Sequence, residues 1–401
     1  MDRRTALKQI GLGVIGSAAL AGCTQSSGQV PAQSLIGDGS QVSNNSLEFT
    51  YAGSTVKSGT CWNCVNPSIV WRLAERLNTN SNGRIQATYV GESQLCDQGS
   101  CHSKIRNDVI PVAGTSIGNS TKAYPENNVW VRPYTFPSRA SMTYTLFNEA
   151  IWNEYWVPFA KKYNIIPFAA SVPYFRQIFI GVDAPVPKNA RIPSDIQGLE
   201  IRRTFSRVPS ISIDEWGAVP VNLSWGDTLQ GLRTGVVSGL ETGSAALIAY
   251  GMAEATSQAI INNWGFGHSV LWARVDFLKE LSEKNQRVVA DTTRTLTEEA
   301  THLADEVANK RAGIASSPPE GSGFAKNDVQ VNTLSENERQ QWREPVDPMK
   351  NPTLYQKNQR EVAALGAEGI YDRIWATARQ SPESSSDITI DSWWDDHLDK
   401  I

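Results

Sequence analysis

Apolar positions change period along the chain, and each change marks an element. Residues 47–52 alternate and stop at Gly53-Ser54, which predicts a strand. Ile69, Leu73 and Leu77 recur every four residues after Pro67, the pattern of an amphipathic helix with proline near its first turn. The pattern then predicts a strand over 84–90, a short helix over 103–106 and a strand over 109–113. A helix over 141–163, with Leu146, Ala150 and Trp156 on its apolar faces, leads into a strand over 165–169. Further strands are predicted at 175–181, 199–202, 219–223 and 236–240. Between the last two, Ser224-Trp225-Gly226-Asp227 opens a helix over 228–233, and Thr234-Gly235 closes it. Leu278, Leu281, Val288, Val289 and Leu296 carry a helical period across 277–312. A Pro/Gly/Ser loop follows at 316–322, then a strand at 329–331 and helices at 336–342 and 355–379. Strands alternating with helices predict an α/β fold built on parallel sheets.

At 401 residues the chain is long enough for two domains, at about 150 residues each. Hydrophobic residues make up 40% and charged residues 19%, ordinary for a globular protein with a full core. The net charge of −4 gives no sign of the basic face that nucleic acid requires. No apolar run reaches the roughly 20 residues of a membrane span. The N-terminus is instead a targeting segment over 1–22: Arg3, Arg4 and Lys8 precede a short apolar stretch over 10–21. Asp2-Arg3-Arg4-Thr5-Ala6-Leu7-Lys8 also resembles a twin-arginine export signal. Leu20-Ala21-Gly22-Cys23 looks like a bacterial lipobox, so cleavage is expected to leave Cys23 as a lipidated N-terminus. Residues 23–46, rich in Ser, Gln and Gly, would be the tether, and the anchor would be the sole membrane contact. The alternative is an ordinary cleaved signal with an incidental cysteine.

Four cysteines remain, in Cys61-Trp62-Asn63-Cys64 and in Cys96-Asp97-Gln98-Gly99-Ser100-Cys101. Each pair follows a predicted strand, which puts both at one sheet edge if the strands are neighbours. An even count in an exported chain implies disulfides, with three pairings open. A Cys-x-x-Cys redox motif and a four-thiolate zinc site are the competing readings, and with them a periplasmic enzyme. His102 reads as polar surface beside the cysteines and His268 as a buried structural residue.

The central stretch carries a family resemblance. Ile192-Pro193-Ser194-Asp195-Ile196-Gln197-Gly198-Leu199-Glu200-Ile201-Arg202 resembles the "P-x-D-L-x-G-L-K-I-R" signature of the solute-binding subunits of TRAP transporters. Gly217-Ala218-Val219-Pro220-Val221, then Ser224-Trp225-Gly226-Asp227 with Leu229 and Leu232, then Gly235-Val236-Val237-Ser238-Gly239-Leu240-Glu241 follow in family order and spacing. The resemblance implies a two-domain periplasmic-binding-protein-like α/β fold with hinge strands and a long connecting helix. The expected boundaries are 47–173 for the first domain and 174–262 for the second. A return strand and long helix would occupy 263–312, with C-terminal helices and tail packed on the body over 313–401.

It also implies a binding-only receptor, without cofactor, that clamps a small organic carboxylate; no metal-ligating residues are expected in the chain, and a metal bridging the bound carboxylate stays open, since part of the family uses one. The receptor would deliver it to the small and large membrane subunits. A binding protein that feeds a sensor kinase would use the same clamp. By this resemblance Arg202 holds the carboxylate, since a guanidinium offers two parallel N–H donors. Arg203 should face the opposite side of the strand. Arg176 matches a second family arginine near the ligand, Trp225 an aromatic against it, and Glu241 a family acid also expected at the ligand, with a structural role next to the hinge as the alternative. Thr242 stands where the family often supplies an asparagine amide, which points to a different ligand. Trp62, between its cysteines, is expected to flank the cleft.

Overall fold

The computed structural model describes residues 41–43, 46–54, 69–384 and 387–401. Cys23, Cys61, Trp62 and Cys64 lie outside them, as do the targeting segment and most of the tether. Among the described residues no helix is long and apolar enough to cross a membrane.

Among the described residues, twelve strands form two six-stranded sheets. The first holds β1 (Gln41–Ser43), β2 (Ser46–Gly53), β3 (Ile85–Val90), β4 (Val112–Ser116), β5 (Ile165–Ser171) and β11 (Ser269–Arg274). Its order is β1-β2-β4-β11-β5, with β3 also against β2. The second holds β6 (Arg176–Gly181), β7 (Glu200–Arg203), β8 (Val219–Asn222), β9 (Gly239–Gly243), β10 (Thr256–Gly265) and β12 (Gln330–Thr333), in the order β12-β10-β6-β9-β7-β8.

The sheets are mixed rather than parallel. β2 runs parallel to β3 and β4, and β7 parallel to β8 and β9. The returning strands reverse direction: β10 is antiparallel to β6, and β11 to both β4 and β5. Every residue of β5 and β6 is buried, so neither strand has a solvent-facing side, and at the start of β6 the buried positions include the polar Arg176 and Gln177.

The chain passes between the sheets twice in neighbouring places, from β5 to β6 through residues 172–175 and from β10 to β11 through Phe266-Gly267-His268. A third link is the helix Glu283–Glu306, opened by the Ser282 hydroxyl accepting from Asn285 N–H. It packs on β5 and on helix Ile69–Asn80. Its wider continuation, Val307–Ala312, sets Val307 against Ala245 of helix Ser244–Ala249, beyond β9.

Several expectations shift for local reasons. The helix predicted over 141–163 is interrupted, because Asn148 caps a fresh start with its Oδ1 accepting from Ala150 and Ile151, and Pro158 has no N–H to continue the ladder. β4 begins at Val112 because Val109 N–H closes the preceding helix on Lys104 O. β9 begins at Gly239 because Val237 N–H bonds Gly231 O in the turn after helix Thr228–Arg233.

The C-terminal tail packs on the first sheet's core. Trp393 and Trp394 are buried, both indole N–H groups donate to Thr293 Oγ1 at 3.0 and 3.1 Å, and His397 stacks on Trp152.

His102 is not at the surface as its sequence context suggests. It is 2% exposed, 2.9 Å from Thr115 Oγ1 through Nε2, and edge-on to Tyr124 and Trp272. His268 is fully buried beside Trp130, with neither ring nitrogen partnered. Burial holds both imidazoles neutral, lowering each pKa from 6.5 to about 3, with Arg106 adding to the effect at His102.

A base whose native pKa lies below its unfolded value takes up protons first in the unfolded chain. Stability is therefore present above pH 6.5 and is lost as pH falls from 6.5 toward 3. Each histidine should remove about 2 kcal/mol between pH 6.5 and 5. Urea unfolding at the two pH values checks this: the loss should shrink in His102→Gln and in His268→Gln.

Candidate functional site

The carboxyl ends of β4, β7 and β9 converge between the two sheets, where α/β proteins place their ligands. They enclose a cavity of about 90 Å³ that joins a wider opening of about 420 Å³ through Gln98, Trp225 and Tyr250. Val70 of helix Ile69–Asn80 and Gly114, Thr115 and Ser116 of β4 line it from one side, and Arg176, Arg202 and Thr242 of the second sheet, with Thr204 just past β7, from the other.

Arg202, on β7, is 2% exposed. Its Nε donates to Leu223 O at 3.1 Å, and its guanidinium carbon lies 5.0 Å from the Trp225 ring centroid. Its Nη1 is buried and has no partner. Burial lowers its pKa from 12.5 to about 10; Glu241 counteracts that, and Arg176 and Arg203 add to it. It stays charged at neutral pH.

Arg203 does not line the cavity and donates instead to Thr204 O and Ser206 O. Strand alternation returns Thr204 to Arg202's side. Thr204 Oγ1 is buried without a partner and lines the cavity.

Arg176 opens β6 and lines the cavity, yet its charge is already matched. Its Nε donates to Glu241 Oε2 at 2.5 Å and its Nη2 to Glu241 O at 2.9 Å. Glu241, on β9, is fully buried, and its Oε1 accepts from Thr204 N–H at 3.1 Å. Gly267 makes room for this pair, because a Cβ there would lie 2.3 Å from Arg176 Nη1. Glycine at the crossing between β10 and β11 is thus required for Arg176 to lie flat against it.

Trp225 meets Tyr250 edge-on at 5.1 Å, and Tyr250 donates to Ser54 O of the first lobe at 3.1 Å. Thr242 is 3% exposed at the cavity wall. Trp62, expected to flank the cleft, lies outside the described residues.

Gln98 was not singled out from the sequence. It sits inside the loop closed by the Cys96–Cys101 disulfide, with S–S 2.06 Å. Its Oε1 accepts from Ser116 N–H at 2.7 Å and Asn119 Nδ2 at 3.3 Å, and its Nε2 donates to Ser54 Oγ. Asn119 Oδ1 in turn accepts from Phe205 N–H across the cleft at 3.2 Å. The flanking cysteines were the available signal, since a stapled loop after a strand is a ligand-facing position. With two of the four sulfurs joined to each other, a four-thiolate zinc set is not assembled. Among the described residues no group of three His, Cys, Asp or Glu side chains is arranged to hold a metal.

Two lobes joined by crossing strands, with a buried cation facing the cavity between them, define the class: an extracytoplasmic-type solute-binding protein. The chain belongs to family 7 of the bacterial extracellular solute-binding proteins (DctP), whose pattern it matches over residues 68–357. These are the solute-binding subunits of TRAP transporters, receptors rather than enzymes.

It is 22% identical over 265 residues to the ectoine-binding periplasmic protein TeaA of Halomonas elongata, covering 66% of this chain and 74% of that one. It is 26% identical over 180 residues to the C4-dicarboxylate-binding periplasmic protein DctP of Rhodobacter capsulatus, covering 44% and 50%. Its fold matches a TRAP periplasmic solute-binding protein from Shewanella oneidensis with bound succinate, at a TM-score of 0.68 and 17% identity over 82% of this chain and 99% of that one. A relative from Chromohalobacter salexigens with bound D-glucuronate matches at 0.67 and 18%, over 82% and 99%.

The Arg176–Glu241 pair makes its own prediction. Removing one partner of a buried pair leaves the other charge uncompensated, at about 3–5 kcal/mol. Arg176→Met should lose that much in chemical denaturation. Arg176→Met combined with Glu241→Gln, which keeps an acceptor for Thr204 N–H, should recover at least half of it.

Proposed function

We propose that this protein is the binding-only receptor of a TRAP-type secondary transporter. It holds a small organic carboxylate on Arg202 and delivers it to the small and large membrane subunits. The observation that carries this reading is the Arg202 guanidinium, buried at the cavity wall with Nη1 unpartnered. A carboxylate there would accept from the free N–H groups and neutralise a charge that burial has stripped of water. The bound succinate and D-glucuronate of the two structural relatives belong to the same chemical class. The Arg202 guanidinium lies over the Trp225 ring, and Thr242 and Thr204 line the cavity beside it.

No catalytic step or cofactor enters this reading. Capture and release follow from two lobes joined by crossing strands and a long helix. The lipobox-like Leu20-Ala21-Gly22-Cys23 supports a lipid anchor at Cys23 on the outer side of the cytoplasmic membrane, with the tether giving the receptor reach to its permease.

A thermal-melt screen against a library of small carboxylates tests the reading. A ligand at a hundred times its Kd stabilises the native state by about 2.7 kcal/mol, a rise easily read. At least one acid should raise the melting temperature of the wild-type protein, and Arg202→Met should abolish the rise while its own ligand-free melt stays cooperative. A library with no effect, or a rise unchanged in Arg202→Met, would sink the proposal.

A further inference from the structure

Just past the strand that carries Arg202, three consecutive residues of the second lobe are gripped by the first. A Cβ on Gly118 would lie 3.2 Å from Thr204 Oγ1, so Thr204 packs directly on that glycine. Phe205 N–H donates to Asn119 Oδ1 at 3.2 Å, and Ser206 Oγ donates to Asn128 Oδ1 at 2.7 Å. The Phe205 ring itself fills the space between Gly99 and Lys122. A Cβ on Gly99 would stand 2.9 Å from the ring, and the Lys122 ammonium lies over it, 4.8 Å from the centroid.

The seat for that ring is fixed within the first lobe. Gly99 belongs to the loop closed by the Cys96–Cys101 disulfide. Its N–H donates to Asp97 Oδ1 at 3.0 Å, and the same oxygen accepts from Ser100 Oγ at 2.5 Å. The Gly99 backbone lies outside the left-handed region, so the conformation accepts any residue and the space for the ring is what requires a glycine. The seat also lies away from the pivot. The crossings between the sheets reach the inner cavity at Pro173 and Gly267, whereas Gly99 and Phe205 line the wider opening, beyond the neck at Gln98, Trp225 and Tyr250. Rotation about the crossings moves the mouth further than the pivot, so it would break this contact early.

We propose that the Phe205 ring, seated between Gly99 and Lys122, is the latch that holds the two lobes shut. Phe205 and Gly99 are then positioning residues for capture, and neither touches the ligand. The inference rests on the reading of the cavity as the carboxylate site. Only the shut form encloses a ligand, so the apparent affinity is the intrinsic affinity scaled by the fraction of protein that is shut. A latch at the mouth raises that fraction by the same factor for every ligand and slows escape. A side chain in contact with the ligand would instead discriminate among ligands. Because Thr204, Phe205 and Ser206 directly continue β7, seating the ring also draws the end of Arg202's strand against the first lobe.

Calorimetry and stopped-flow release with succinate, lactate, D-glucuronate and orotate test this. Gly99→Val puts a side chain in the ring's place, and Phe205→Ala removes the ring. Each should weaken every acid that binds by one common factor of about five or more, with the loss lying in faster release. The double variant puts the valine into the space the ring leaves, so it should lose less than the product of the two single losses. Small-angle scattering, at an acid concentration that half-saturates the wild-type protein, should show both single variants more open. Ligand-free melts report folding separately. Unchanged affinity, a loss confined to one acid, or unchanged scattering overturns the latch while leaving the carboxylate reading intact. If none of the acids binds the wild-type protein, the carboxylate reading itself fails and takes the inference with it.

Discussion

A guanidinium that has lost its water but not its charge lies at the centre of this molecule. Arg202 is 2% exposed, keeps one backbone bond to Leu223 O, rests against the Trp225 ring and leaves Nη1 without a partner. Desolvating a cation costs several kcal/mol, and its lowered pKa of about 10 reflects that cost. The Glu241 field offsets part of it, but Glu241 bonds Arg176, not Arg202. The ligand-free site is thus electrostatically incomplete, and an anion that completes it gains energy which a solvated surface arginine would not offer.

The rest of the fold keeps that charge in place. β7 delivers Arg202 at its carboxyl end, and the residue after β8 supplies the carbonyl that orients it. β9 and β6 bring Glu241 and Arg176 together, and the Phe266-Gly267-His268 crossing accommodates the pair through the missing Cβ of Gly267. The matched pair therefore sits at the junction where the chain passes between lobes. The wall opposite comes from β4 and the disulfide-closed loop carrying Gln98, and the Asn119–Phe205 and Tyr250–Ser54 bonds reach across the cleft.

Much of this was legible in the sequence wherever one residue's environment is local. Alternation along β7 separates Arg202 from Arg203, and the cap-like Ser224 to Asp227 stretch sets Trp225 at a helix start. Long-range facts were not legible. Arg176 and Glu241 are 65 residues apart, and nothing in either stretch says that their charges meet. Gln98 gains its role only when β2, β3 and β4 lie side by side. The tail's tryptophans read as an acidic aromatic end because their partner, Thr293, is a hundred residues away. Val236 and Val237 look like strand by composition, yet the turn after the preceding helix claims the Val237 N–H.

The most direct measurement follows the arginine side chains themselves. In protein labelled with ¹⁵N at arginine, the Nη resonances of Arg202 and Arg176, assigned by substitution, are recorded while a binding carboxylate is titrated. A carboxylate seated on Arg202 should shift and sharpen the Arg202 Nη signals, by slowing rotation and solvent exchange, and leave those of Arg176 nearly still. Movement of the Arg176 signals with Arg202 unchanged would contradict the account, because it would put the anion on the charge that Glu241 is held to cancel.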